Sequence, residues 1–206
     1  MSSLNSLEQR IVDISYKKGL THLSSCLTHV NYIDSIYGIM KAGDKFVLSS
    51  GHAFCALAVV LEKYKGLNAE ELMDEHGTHP NRNTEEEIWV STGSLGQGVP
   101  IAVGMAIANP ENDIYIVSSD GEMAEGSCLE ALRIAAERRL ENIKLGVIAN
   151  GTSGYKRTDV EWLESIIPQF YPSMIVRTNM FKYPKCLQGI DGHYYKLKKE
   201  DYEGMA

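Results

Sequence analysis

Two short apolar runs, each broken off by a polar turn, constrain the fold of this chain more than any other feature. Asp113-Ile-Tyr-Ile-Val-Ser118 reads as a buried strand, and Asn142-Ile-Lys-Leu-Gly-Val-Ile-Ala149 holds a second. Between them, Ala124 to Leu140 carries apolar residues at helical spacing on one face. A strand, a helix and a strand of these lengths fit a parallel pair joined by a crossover. Ser119-Asp-Gly-Glu-Met-Ala-Glu-Gly126 then leaves the first strand and Asn150-Gly-Thr152 the second, both at one edge of the sheet. The crevice beyond strand carboxyl ends is where open α/β sheets bind ligands.

The residue types at that edge are hard oxygen donors. The Asp120 carboxylate, the Asn150 amide oxygen and a backbone carbonyl near Thr152 suit Mg²⁺ or Ca²⁺, with water and phosphate oxygens filling the remaining positions. Gly121 leaves room for a ligand, and the following helix start offers N–H groups and a positive dipole end to an anion. Taken alone, Asp120-Gly121 fits a simple turn equally well, with glutamates favoured in the first helical turn.

Bulk properties narrow the field. The 206 residues, 44% of them apolar, with a net charge of −7, suit one soluble α/β domain and give no electrostatic reason to expect nucleic acid. Cys26, Cys55, Cys128 and Cys186 form no C-x-x-C pair, so reduced thiols and a cytoplasmic setting are expected rather than a zinc site or disulfide framework. The sequence opens Met1-Ser-Ser-Leu-Asn-Ser6 without the apolar core of a signal peptide, and Val99 to Ala108, the most apolar stretch, is too short to span a bilayer.

Elsewhere the periodicity predicts helices over Ser6 to Lys18, Tyr32 to Tyr37 and Ala53 to Tyr64, with a loop around Gly19 to Ser25 and a strand at Lys45 to Ser49. A polar loop is expected from Asp74 to Glu87. A helix rich in small residues starts at Gly98, expected to be buried, and another runs from about Asp159 to Ile167.

Several motifs share one register with a known family. Asp120-Gly121, preceded by Ser119 where a glycine is usual, and Asn150 about one helix and one strand later are similar to the thiamine-diphosphate signature. Gly93-Ser-Leu-Gly-Gln-Gly98 with Ala102-Val-Gly-Met-Ala106 resembles a stretch of the transketolases that lies along the cofactor. Ser49-Ser-Gly-His52 resembles the family's Ser-x-Gly-His, Thr78-His79-Pro80 its Gly-His-Pro, and Thr21-His22-Leu-Ser a degenerate Gly-His-x-Gly.

The resemblance implies a three-layer α/β/α fold with a mostly parallel sheet, as a single domain over residues 1–206. It implies thiamine diphosphate and Mg²⁺ (or Ca²⁺) as cofactors, with Asp120, Asn150 and Thr152 on the metal. His52, Gly121, Glu122 and Asn150 would lie beside the cofactor, and Gly93, Ser94 and Leu95 would reach the aminopyrimidine through backbone groups. His22 and His79 would face the sugar, and Glu125 would join a carboxylate network at a subunit interface. Singly, each histidine also fits a helix-start or surface role, and Glu125 a stabilising first-turn glutamate. His29 and His193 receive no role, although Asp191-Gly-His193 resembles a late family motif.

Full transketolases carry a second domain that supplies a glutamate for the aminopyrimidine ring, and the resemblance accounts for the first domain alone. A pyrimidine-domain partner subunit is therefore expected, in a hetero-oligomer with two-fold symmetry acting on sugars or sugar phosphates. The implied activity is transfer of a two-carbon ketol unit. Alternatives are a 1-deoxyxylulose-phosphate-synthase-like enzyme and a non-catalytic interaction subunit built on the cofactor fold.

Overall fold

In the computed structural model, which describes residues 4–178 and 180–205, the apolar runs resolve into four strands and ten helices in α/β order. Met1 to Ser3, part of the polar start read above, lie outside the described residues. In chain order the elements are α1 (Ser6–Lys18), α2 (Leu23–Tyr37), β1 (Lys45–Leu48), α3 (Phe54–Lys65), α4 (Ala69–His76), α5 (Gly98–Ala108), β2 (Ile114–Ser119), α6 (Asp120–Met123) and α7 (Gly126–Glu137). They continue with β3 (Ile143–Ala149), α8 (Val160–Phe170), β4 (Met174–Arg177), α9 (Gly189–Tyr194) and α10 (Lys199–Met205). Among the described residues no helix is long and apolar enough to cross a membrane.

The chain divides into two compact units. One comprises residues 39–51 and 80–178 and holds the sheet, whose strands run β1-β2-β3-β4 and are parallel throughout. Every residue of β2 is buried, as expected of a central parallel strand, which must be apolar on both faces. Val47, Ile116 and Val147 from the strands pack with Val99 and Val103 of α5, Leu132 of α7 and Leu163 of α8. The ladder continues one residue past two of the strands: Ser49 N–H donates to Val117 O at 2.8 Å, and Thr178 N–H to Ala149 O at 2.9 Å. This fixes the backbone of the polar turns at the strand ends.

The second unit is helical, formed from the described parts of 1–38, 52–79 and 179–206. α1 begins with a capping box: the Asn5 side chain accepts from Leu7 and Glu8 N–H, and Glu8 reaches back to Asn5 N–H. The Glu8 carboxylate, 4% exposed, also accepts from Lys182 Nζ at 2.9 Å and Tyr183 Oη at 3.0 Å, which ties the late segment to α1. Tyr16 and Tyr202 stack with ring centroids 4.4 Å apart and hold α10 on the same helix.

Four local expectations change. Leu23 to Ser25, expected in a loop, form the first turn of α2 because all three are buried. Asp74 to His76 close α4, a helix capped by Asn68, whose side chain accepts from Glu70 and Glu71 N–H. The helix expected from Ala124 starts at Gly126 as α7, and the short α6 precedes it. α5 buries one face only: Ile101 and Ile107 are 38% and 40% exposed.

Candidate functional site

Asp120 is the first residue of α6, directly after the last strand residue of β2, and is 1% exposed. Ser119 caps that helical turn, its Oγ accepting from Glu122 N–H at 3.3 Å, and its backbone is extended at φ −120°. Serine in place of the family's glycine therefore carries no backbone strain. Asp120 Oδ1 accepts from Gly121 N–H at 3.1 Å, and Oδ2 accepts from Gly151 N–H at 2.8 Å and from the Thr158 hydroxyl. Burial raises the carboxyl pKa, and these donors oppose the rise.

The second strand end is shaped by its own side chain. Asn150 Oδ1 accepts from Thr152 N–H at 2.9 Å, closing an Asx turn in which Gly151 has φ +81°. Thr152 pairs with Arg157, and Thr158 N–H donates to Gly151 O at 3.1 Å, so the 151–158 hairpin folds onto Asp120. Asp120, Asn150 and Thr152 are thus brought together. A Cβ at Gly121 would lie 2.9 Å from Ser153 Cβ, so the space beside Gly121 is filled by this hairpin rather than left open. The N–H groups of Gly121 and Glu122, expected to serve an anion, are already engaged within the turn.

Glu122 is fully buried and does something the sequence did not suggest. Its Oε2 accepts from Ser49 Oγ at 2.8 Å and from Gly96 N–H at 3.0 Å, joining the end of β1 to the 93–98 loop, while Oε1 has no partner. Burial pushes its pKa up to about 7, against the lowering effect of both bonds. Gly96, at φ +76°, is held on the other side by Ser127 Oγ donating to its carbonyl at 2.8 Å. A Cβ there would meet Ser127 Oγ at 2.5 Å and Glu125 Cβ at 2.7 Å. Gly51 abuts the start of the same loop, where a Cβ would lie 2.8 Å from Gly93 N, and Ser94 O accepts from Gln97 N–H at 3.3 Å. Leu95 is 36% exposed, and half-buried Glu125 accepts from Tyr155 Oη at 3.4 Å.

The histidines gather in the helical unit. His22 precedes α2 in the left-handed region at φ 62°, a conformation costing about 1–2 kcal/mol for a residue with a Cβ. Its ring centroid lies 5.3 Å from that of His52, 6.2 Å from His79 and 4.4 Å from His193. The His193 carbonyl accepts from His22 N–H at 2.9 Å. Burial, with His193 and His79 nearby, pushes the His22 pKa down to about 4, and its buried Nδ1 has no partner. His52 is held well below the usual range by burial and the surrounding imidazoles, and His193 is lowered by burial. His79 is exposed. His29 is a core histidine, its Nδ1–H donating to Ser25 O at 2.7 Å. Sequence reasoning left His193 without a role. Its signal was the Asp191-Gly-His193 motif, which reached no partner until the fold placed it beside His22.

A parallel α/β sheet with oxygen-bearing side chains at adjacent strand ends belongs to the class of open sheets that bind ligands at that edge. The chain belongs to the family "Transketolase, thiamine diphosphate binding domain", which matches residues 39–150. It is 33% identical over 156 residues to one of the subunits of the apulose-4-phosphate transketolase of Phocaeicola vulgatus, covering 66% of this chain and 55% of that protein. It is also 33% identical over 147 residues to the 6-deoxy-6-sulfo-D-fructose transketolase subunit SqwG of a Clostridium species, covering 62% and 54%. The solved transketolase from Leishmania mexicana superposes with a TM-score of 0.75 over 97% of this chain and 39% of that one; at 23% identity the likeness is one of fold. The chain spans about half the length of the curated relatives it matches. His52, His79, the 93–98 loop, Asp120 and Asn150 lie inside the family match; His22, Thr152 and His193 lie outside it.

Proposed function

We propose that this chain is the diphosphate-binding subunit of a split, transketolase-like enzyme, with residues 1–206 working as one domain. It binds thiamine diphosphate and Mg²⁺ and, with a pyrimidine-domain partner subunit in a two-fold hetero-oligomer, transfers a two-carbon ketol unit between sugars. The observation that carries this is the buried Asp120 carboxylate at the end of β2, bonded to the Asn150 loop through Gly151 N–H.

The residues fit the group. A nearly fully buried carboxylate held by Gly121 N–H, Gly151 N–H and the Thr158 hydroxyl is electrostatically suited to a metal ion. Asp120, Asn150 and the Thr152 carbonyl are oxygen donors of the type Mg²⁺ and Ca²⁺ take. Gly121 and His52 would lie beside the cofactor, Glu122 would act on it through the 93–98 loop, and the backbone of Gly93, Ser94 and Leu95 would meet the aminopyrimidine. When bound, thiamine diphosphate supplies the electron sink that allows a C–C bond beside a ketose carbonyl to break. His22 and His79 would hold sugar hydroxyls and move protons on them, His22 in its neutral form near pH 7. His193, bonded to the His22 backbone, would complete that group. Glu125 would face the subunit interface. The names of the relatives as transketolase subunits favour a partner chain, and the exposed apolar face of α5 at Ile101 and Ile107 offers a surface for one.

Coexpression with a pyrimidine-domain chain tests this. Thiamine-diphosphate-dependent ketol transfer from a ketose to an aldose is expected. Condensation only when pyruvate is the donor would favour the synthase-like alternative. Cofactor binding without turnover of either donor would favour the non-catalytic subunit.

A further inference from the structure

We propose that Glu122 is a positioning residue for the aminopyrimidine end of the cofactor, its carboxylate fixing the shape of the 93–98 loop through Ser49 and Gly96. The assignment rests on the proposed function for the identity of the ligand that this loop meets.

The loop is pinned at three places. At its start a Cβ on Gly51 would lie 2.6 Å from Thr92 C and 2.8 Å from Gly93 N, and at its end a Cβ on Gly98 would lie 2.5 Å from Ser49 Cα. Backbone therefore packs on backbone at both ends, with no room for adjustment. Between them the turn at Gly96, φ +76°, is held by two polar bonds: Glu122 Oε2 takes its N–H at 3.0 Å, and Ser127 Oγ donates to its carbonyl at 2.8 Å. Glu122 reaches Ser49 as well, at 2.8 Å, so one carboxylate oxygen ties the middle of the loop to the residue that abuts its end. Ser94 and Leu95 are left at the outer side of this frame, both exposed, and Gly93 stands at φ 144°, a conformation that residues with a side chain rarely adopt.

A stabilising role alone does not account for a glutamate here. Its side chain is fully buried, and Oε1 has no partner, so the position carries a polar-burial cost that an apolar residue would avoid. What the carboxylate supplies in return is geometry, a single acceptor shared by two segments. Its own N–H is taken by Ser119 Oγ, so Glu122 acts on a bound cofactor through the loop rather than by contact. Removing it should loosen the grip on the pyrimidine and leave the grip on the diphosphate, which depends on Asp120 and the Asn150 turn.

Calorimetry of this chain assembled with a pyrimidine-domain chain tests the assignment, comparing thiamine diphosphate with inorganic pyrophosphate, each with Mg²⁺. Glu122→Ala should weaken thiamine diphosphate at least about tenfold, the equivalent of one hydrogen bond, and change pyrophosphate by less than about twofold. Glu122→Gln, which keeps an acceptor for Ser49 and Gly96, should recover most of the loss. Equal weakening of both ligands, unchanged thiamine diphosphate binding, or no recovery in Glu122→Gln would each overturn the assignment. Should Glu122→Ala fail to fold, Ser127→Ala removes the other bond to Gly96 and should show the same selective loss, and its absence there overturns the idea equally. Amide hydrogen exchange needs no ligand: the Gly96 N–H should be protected in wild type and exchange at least about tenfold faster in the alanine variant. Binding of neither ligand by wild type, with the Gly96 amide protected as described, would remove the proposed function and leave the loop fastening standing. An unprotected Gly96 amide in wild type would remove the fastening whatever the ligands do.

Discussion

Replacing His29 by glutamine isolates one pH-dependent part of the stability. His29 is 1% exposed, and burial, opposed by the bond to Ser25 O, lowers its imidazole from 6.5 to about 4. A depressed folded-state value for a base means that the unfolded chain binds the proton more readily. The stability His29 allows is therefore fully present above 6.5 and is lost as pH falls from there towards 4. At about pH 5 the unfolded ring is charged and the folded one is not, a difference of about 1.5 units or about 2 kcal/mol. Glu122 works in the opposite sense: raised from 4.5 to about 7, it adds stability as pH falls through that window. A wild-type pH profile sums the two and decides little, whereas the difference between wild type and His29→Gln cancels the Glu122 contribution. Urea unfolding followed by circular dichroism at about pH 7 and pH 5 measures it. Whatever packing the variant loses at pH 7, its deficit should shrink by about 2 kcal/mol at pH 5. An equal deficit at both pH values refutes the reasoning.

Glu122→Ala should cost about 2–5 kcal/mol in the same unfolding assay, because Ser49 Oγ and Gly96 N–H lose their acceptor at a buried position. Glu122→Gln keeps an acceptor and should lose less than half as much; equal losses would show that the carboxylate does not join the two loops. Gly96→Ala combines a left-handed backbone with contacts to Ser127 and Glu125, so a loss of about 1–3 kcal/mol is expected, and an unchanged melting temperature would contradict the fastening described for this loop. Asn5→Ala should remove about 1 kcal/mol by dissolving the capping box of α1, checked by the same denaturation curves.

The parallel pair β2–β3 was legible because a central strand buried on both faces must be continuously apolar, and the polar residues that end it stand out by contrast. Asp120 and Asn150 were placed at the strand ends for that reason. What local pattern did not carry was the partner of each polar group. Glu122 reads as a first-turn glutamate, and only the fold shows its carboxylate between Ser49 and Gly96, 73 and 26 residues away. His193 lies far from His22 in sequence, so no spacing rule links them. The loop readings at Leu23 to Ser25 and Asp74 to His76 failed because polar residues there are recruited into helices by burial of their neighbours, among them Leu27, Leu72 and Met73. The burial expected of α5 followed from its small residues, but Ile101 and Ile107 remain exposed.

The cofactor assignment is tested most directly by isothermal calorimetry of thiamine diphosphate, with and without Mg²⁺, on this chain alone and assembled with a pyrimidine-domain chain. Saturable, Mg²⁺-dependent heat is expected for the wild type in at least the assembled form, and its loss in a folded Asp120→Ala or Asp120→Asn variant. No heat in either form, or binding by the Asp120 variants as tight as wild type, would contradict a metal-diphosphate site at the ends of β2 and β3.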